Sequence, residues 1–106
     1  MTQSTDIVFV NPNSTQSMTD KIVLSATIAL NNRRNVTGVT CFGAPSAIQG
    51  PSDAEKAKPI LFSNLKEAEK AESKLAVIAC FDDPFLFEAR RTLSIPTIGI
   101  GWAAFT

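Results

Sequence analysis

Two cysteines, a pair of adjacent aspartates and no histidine at all define the chemistry open to this chain. Cys80 ends the apolar run Leu75 to Cys80 and stands just ahead of Asp82-Asp83-Pro84, an acidic cap with proline at the first helical position. Backbone N–H groups and the positive end of a helix dipole would lower a thiol's pKa at such a place, making thiolate available near neutral pH. Cys80 reads equally as a small apolar residue finishing a core strand, and the residues alone leave both readings open. Cys41 shares a strand face with Thr37 and Val39, so a packed, unreactive thiol is its expected state. Without histidine, Ser-His-Asp and Cys-His catalysis within the chain, His-liganded metal sites and His pH switches are excluded.

Other polar groups cluster where turns are expected. Asn11-Pro12-Asn13-Ser14-Thr15 is explained as an Asn-Pro turn with a hydroxyl helix cap. Its amides and hydroxyls are also neutral donors suited to a carboxylate or a ring carbonyl. Asp82 and Asp83 form either a carboxylate pair or, for at least one of them, a helix cap. Gly99-Ile100-Gly101 lacks the third glycine and the following helix of a dinucleotide fingerprint.

The elements that must carry these residues follow from periodicity. Asp6 to Val10, Val36 to Phe42, Leu75 to Cys80 and Ile95 to Ile100 are short β-rich or apolar runs. Thr15 to Leu30 carries Met18, Ile22, Ala26 and Ala29 at helical spacing. Ser52 and Glu55 form a capping box for a second helix whose face is Ala57, Ile60, Leu61, Leu65 and Ala68, with Pro59 predicting a kink or restart. Phe85 to Arg91 is a third helix. The order βαβαβαβ, with crossover-length connections, predicts an α/β domain with a four-stranded parallel sheet, strand order 2-1-3-4. Ligands of such sheets bind beyond the carboxyl ends of the strands.

Length and charge bound the rest. With 106 residues, 44% apolar and 19% charged, the chain is one small globular domain, and a substrate site must lie on a rim or interface. Ten basic residues balance ten acidic ones, so no field of one sign attracts nucleic acid or an acidic membrane. Two separated cysteines fit neither a disulfide framework nor a zinc site. Met1 to Asp6 is polar, and no run approaches the roughly 20 apolar residues of a membrane span. A cytoplasmic protein acting on small molecules is expected.

The residues also resemble a known family. Asn11-Pro12-Asn13-Ser14-Thr15 with Met18-Thr19, Gly43-Ala44-Pro45-Ser46-Ala47-Ile48-Gln49-Gly50, Ala79-Cys80-Phe81-Asp82-Asp83-Pro84 and Pro96-Thr97-Ile98-Gly99-Ile100 are similar, in this order, to the hydantoin/allantoin racemase branch of the aspartate/glutamate racemase superfamily. The resemblance implies a flavodoxin-like lobe, one half of a two-lobed racemase that uses no cofactor or metal and acts on a hydantoin, allantoin or an amino acid. It implies Cys80 as one of two acid/base thiols, the second lying in a segment without counterpart here. Asn11, Asn13, Ser14, Ser46, Phe81 and Asp82 would then bind substrate. Departures are Phe85 where the family has glycine after the proline, Arg91 where it has glutamate, and Trp102 where glutamate is common.

Residues 1–106 would on that resemblance be a truncated, single N-terminal lobe, inactive by itself. One helix cannot cover four strands, so the first face and the tail Trp102 to Phe105 are expected to expose apolar surface, which a homo-oligomer would bury. Two alternatives come from other classes. One is a non-catalytic remnant binding a small ligand or a protein; the other is a flavodoxin-like phosphate binder, which lacks a glycine-rich loop or nearby Lys/Arg at Asn11 to Thr15.

Overall fold

The computed structural model describes residues 6–104. Expectations placed on the first five residues and on Phe105 lie outside them. Eight elements follow one another: β1 (Ile7–Asn11), α1 (Gln16–Ala29), β2 (Val36–Thr40), α2 (Pro51–Lys70), β3 (Leu75–Ile78), α3 (Leu86–Thr92), β4 (Thr97–Gly99) and α4 (Ile100–Ala104). The four strands pair in parallel in the order β2-β1-β3-β4, as the sequence predicts.

Alternation along the strands divides the side chains between two faces. Val8, Val10, Ala76 and Ile78 join Ala57, Leu61, Leu65 and Ala68 of α2 and Leu86 and Ala89 of α3 in one apolar cluster. Cys41 belongs to the same cluster and is fully buried. The other face meets α1 through Thr19, Ile22, Val23 and Ala26, a stripe rotated from the expected one, since Met18 and Ala29 are exposed. The reason is polar. Asn11 Nδ2 donates to Thr19 Oγ1 (3.0 Å), Thr19 pairs with Thr40 Oγ1 (2.8 Å), and Thr40 donates to Gln16 Oε1 (2.7 Å). Because Thr40 gives its proton to Gln16, Thr19 donates to Thr40, and one directed chain ties β1, α1 and β2 together at the carboxyl ends of the strands.

Several boundaries differ from expectation. Helix α2 begins at Pro51 after Gly50, and neither Ser52 nor Glu55 caps it; proline at the first helical position pre-sets φ and removes one unpaired N–H, while Asp53 accepts the Gln49 N–H (3.0 Å). The helix runs unbroken through Pro59. Pro59 and Glu55, whose carbonyl loses its donor, both face solvent, where water can serve. The α1 cap is Thr15, but its hydroxyl donates to Ser46 O (2.7 Å) instead of capping. Helix α3 starts at Leu86, not at the Asp82-Asp83-Pro84 signal, with Phe85 ahead of it in left-handed conformation (φ 58°). Finally, β4 stops at Gly99 and the short α4 follows directly, where the sequence reading had neither turn nor helix.

Large apolar side chains are exposed on α1 (Leu24, Ile28) and at the strands' carboxyl ends and beyond (Phe42, Phe81, Trp102). The strand residues on the α1 side, Phe9, Val77 and Ile98, are themselves buried or half-buried, so the exposed apolar groups stand on α1 and at the strand ends and not on the sheet face where they were expected. Trp102 is partly sheltered by the Arg90 guanidinium, 4.6 Å from its ring centre.

Candidate active site

The carboxyl ends of β1 and β3 lie side by side, because Val10 pairs with Ile78 and the Ala79 N–H donates to Val10 O (2.9 Å). Beyond them opens a cleft of about 370 Å³, lined chiefly by Asn13, Met18, Ile48, Cys80, Phe81 and Asp82, with Pro12, Ile22, Ala47, Ala79 and Ile100 completing it. Hollows of about 440 and 460 Å³ on the flanks of α1 are larger, but neither contains a thiol. The cleft at the strand ends is the one that combines a nucleophile with neutral polar groups on an apolar wall.

The Asn-Pro turn is stitched in place on both sides. The Cys41 N–H donates to Asn11 O (3.2 Å) and Asn13 O (3.1 Å), and the Ser14 N–H donates to Pro45 O (3.0 Å). Asn13 Oδ1 accepts the Thr15 N–H (2.9 Å), while its Nδ2 lies 3.5 Å from Met18 Sδ in the cleft wall. That weak sulfur contact leaves the amide N–H groups available to a better acceptor. Asn11 is buried with its side chain committed to Thr15 O, Thr19 and the Asn13 N–H, so it shapes the turn from behind and does not line the cleft. Ser14 and Ser46 also lie outside the cleft lining; Ser46 offers its carbonyl to Thr15.

Cys80 lies past the end of β3, half-buried and unpaired, with the Asp82 backbone N–H bonded to its sulfur. Its pKa departs from the expectation. Burial pushes the thiol up, the Asp82 N–H pulls it down, and the charges of Asp82 and Asp83 push it up again, leaving it above an ordinary thiol. No helix dipole assists, since α3 begins only at Leu86. Cys41, also free, is pushed up by burial, and the Asn64 amide that donates to its sulfur (3.4 Å) offsets this in part.

The two aspartates separate in role. Asp82 is exposed at the cleft, whereas Asp83 Oδ1 turns away and accepts the Gly101 N–H (2.9 Å). A Cβ at Gly99 would run into the Asp83 carboxylate and one at Gly101 into the Phe81 carbonyl. These glycines therefore let the Cys80–Asp83 turn lie against β4 and α4. Sequence reasoning missed this, and missed Met18, Ile22, Ala47, Ile48 and Ile100 as cleft residues. The signal for Ile48 and Met18 was their place beside turns at strand ends. Among the described residues no group of histidine, cysteine or carboxylate side chains is arranged to hold a metal ion, and no helix is long and apolar enough to cross a membrane.

Comparisons with known proteins agree with this geometry. Residues 7–106 match the family model described as Asp/Glu/Hydantoin racemase. The chain is 36% identical over 98 residues to a hydantoin racemase of Rhizobium meliloti, covering 92% of this chain and 41% of that protein. A hydantoin racemase of Pseudomonas sp. (strain NS671) is 31% identical over 94 residues, covering 89% and 38% respectively. The fold superposes on allantoin racemase from Klebsiella pneumoniae with a TM-score of 0.86 at 28% identity, covering 92% of this chain and 40% of that one. The chain thus spans about two fifths of the length of these relatives. With the matched segment running from the first residue of β1 through α4, the chain belongs to the Asp/Glu/hydantoin racemase family.

Proposed function

We propose that this chain forms one wall of a cofactor-independent racemase cleft, in which the Cys80 thiol exchanges the proton on a carbon next to a ring carbonyl. The observation that carries it is the position of Cys80: a half-buried free thiol at the wall of the strand-end cleft, beside the Asn13 amide and the exposed Asp82. Inversion needs a proton removed from one face of the carbon and delivered to the other, so one thiol is half of an acid/base pair. The opposing group comes from a second lobe across the cleft, or from a second copy of this chain packed through its exposed apolar side chains. Asn13 holds the carbonyl oxygen, and Met18, Ile48 and Phe81 pack against the ring substituent. The relatives point to hydantoins or allantoin as substrate class, with amino acids as the wider family's option. A reducing, cytoplasmic setting suits chemistry that needs Cys80 as a free thiol.

A protected, mostly protonated thiol suits the acid role without activation and the base role only once its pKa falls. That raised pKa equally favours a second reading, in which the cleft binds a small carbonyl compound without turning it over. Saturating 5-substituted hydantoin should slow carboxamidomethylation of Cys80 by iodoacetamide, read by mass spectrometry, while the 106-residue polypeptide alone shows no stereoinversion. Absence of protection would remove both readings. Inversion by the pure chain that Cys80→Ser abolishes would instead support a site completed by two copies.

A further inference from the structure

The cleft wall that carries Cys80 is a turn between β3 and α3, and what holds it is not the helix cap its sequence suggests. Asp83 has three ties. Its N–H donates to Cys80 O (3.0 Å), its carbonyl accepts the Leu86 N–H (3.2 Å), and its Oδ1 accepts the Gly101 N–H (2.9 Å). The first two are local to the turn; the third spans to another element, at the junction of β4 and α4. The fit is close, because no side chain larger than glycine is accommodated at Gly99 or Gly101 while Asp83 and the Phe81 carbonyl occupy that space. Asp83 also has a left-handed backbone (φ 48°), which aspartate tolerates better than most residues.

We propose that Asp83 is the positioning residue of the reactive turn: its carboxylate, received between Gly99 and Gly101 and held by the Gly101 N–H, clasps the Cys80–Asp83 turn to the β4–α4 junction and thereby sets where the thiol stands in the cleft. The inference rests on the reading of Cys80 as the acid/base group. Its division of labour assigns Asp82 to the cleft and Asp83 to the scaffold behind it. A hydrogen bond to a carboxylate is about twice as strong as a neutral one, enough to offset the ordering entropy of about one residue of the turn and so to add to the two local bonds that shape it. The same carboxylate places a negative charge near the thiol, opposing thiolate formation.

Three measurements on the full chain test it. In the parent protein, the Gly101 amide should exchange with solvent deuterium at least about tenfold more slowly than an unbonded amide; exchange at the unprotected rate overturns the clasp and needs no variant. Asp83→Asn keeps an acceptor and tolerates the left-handed backbone while removing the charge. Its Cys80 should therefore react with iodoacetamide along a pH profile displaced to lower pH, with a limiting rate within about twofold of the parent. Asp83→Ala removes the clasp, and the limiting rate should rise several-fold as the half-buried thiol is released. The charge acts on the thiol whether or not Asp83 holds the turn, so the clasp is decided by the Gly101 amide and the Ala variant: an unchanged limiting rate in a folded Ala variant, or a several-fold change already in the Asn variant, contradicts the proposal. These readouts need no substrate, so the clasp can fail while Cys80 still serves in racemisation, and the reverse.

Discussion

Phe85 occupies a left-handed backbone position, φ 58°, where glycine would be at ease. The strain of roughly 1–2 kcal/mol is offset by what the side chain touches. Its ring meets Phe62 edge-on with centroids 6.4 Å apart, and Lys58 Nζ sits 4.9 Å above it. Burial of half a Phe side chain contributes about 1 kcal/mol, the aromatic edge about 0.5–1.5 and the cation about 0.5. Glycine also adds about 0.5–1 kcal/mol of unfolded-state entropy to be lost. We therefore expect Phe85→Gly to destabilise by about 1–2 kcal/mol in urea unfolding, despite relieving the backbone; a gain in stability would mean the contacts are worth less than the strain. The buried Cys41 gives a pH test at the same scale. Its folded-state pKa is raised, so its contribution is complete below the unfolded thiol's value of about 8.5 and is lost as pH climbs from there through the folded value. The urea midpoint should fall across that alkaline range, and Cys41→Ala should flatten the fall; an equal fall in the variant would assign it to other groups.

At the scale of elements, the polar chain Asn11–Thr19–Thr40–Gln16 decides how α1 seats on the sheet and hence where the Asn13 turn stands. Thr19→Val is nearly isosteric but leaves one buried Asn11 N–H without an acceptor and removes the donor to Thr40, while Asn11 keeps Thr15 O and Thr40 keeps Gln16. It should cost about 1–3 kcal/mol and loosen the turn, read as loss of the Asn13 amide's protection from exchange; a neutral effect would show that packing alone seats the helix. This chain also explains an unreadable feature of the sequence. Apolar spacing put Met18 and Ala29 on the inner face, while two threonines and an asparagine, each unremarkable alone, rotate the helix once paired. Other boundaries were hidden by competing signals. Ser52-x-x-Glu55 reads as a capping box, yet Gly50-Pro51 immediately before it starts α2 first. Asp82-Asp83-Pro84 reads as a helix start, yet Asp83 is drawn to Gly101, distant in sequence, and α3 is delayed to Leu86. The strands themselves were legible, because Ile7 to Val10 and Leu75 to Ile78 are short apolar runs bounded by turns, and their parallel order follows from crossover length.

For the whole molecule, the candidate site was legible to the extent that topology creates it. Asn13, Cys80, Phe81 and Asp82 share a cleft because β1 and β3 are paired neighbours whose carboxyl ends meet. Asn11, Ser14 and Ser46 lie outside its lining, since Asn11 is bound to Thr15 and to Thr19 of α1 while Ser14 and Ser46 are tied into the loops, which no strand pattern reveals. The direction of the Cys80 shift was likewise hidden, because it depends on burial and on two nearby carboxylates. What remains is whether this thiol moves a substrate proton. Residues 7–104 can be joined to the remaining part of the Rhizobium meliloti hydantoin racemase, replacing the segment they match, and assayed in deuterium oxide with each enantiomer of a 5-substituted hydantoin. The chimera should invert both enantiomers with uptake of solvent deuterium. Cys80→Ser should lower inversion in both directions by about 10²–10⁴-fold while leaving deuterium exchange without inversion on one enantiomer, the one served by the opposing group. Inversion at the chimera's full rate in the Cys80→Ser variant would contradict a role for Cys80 in proton transfer.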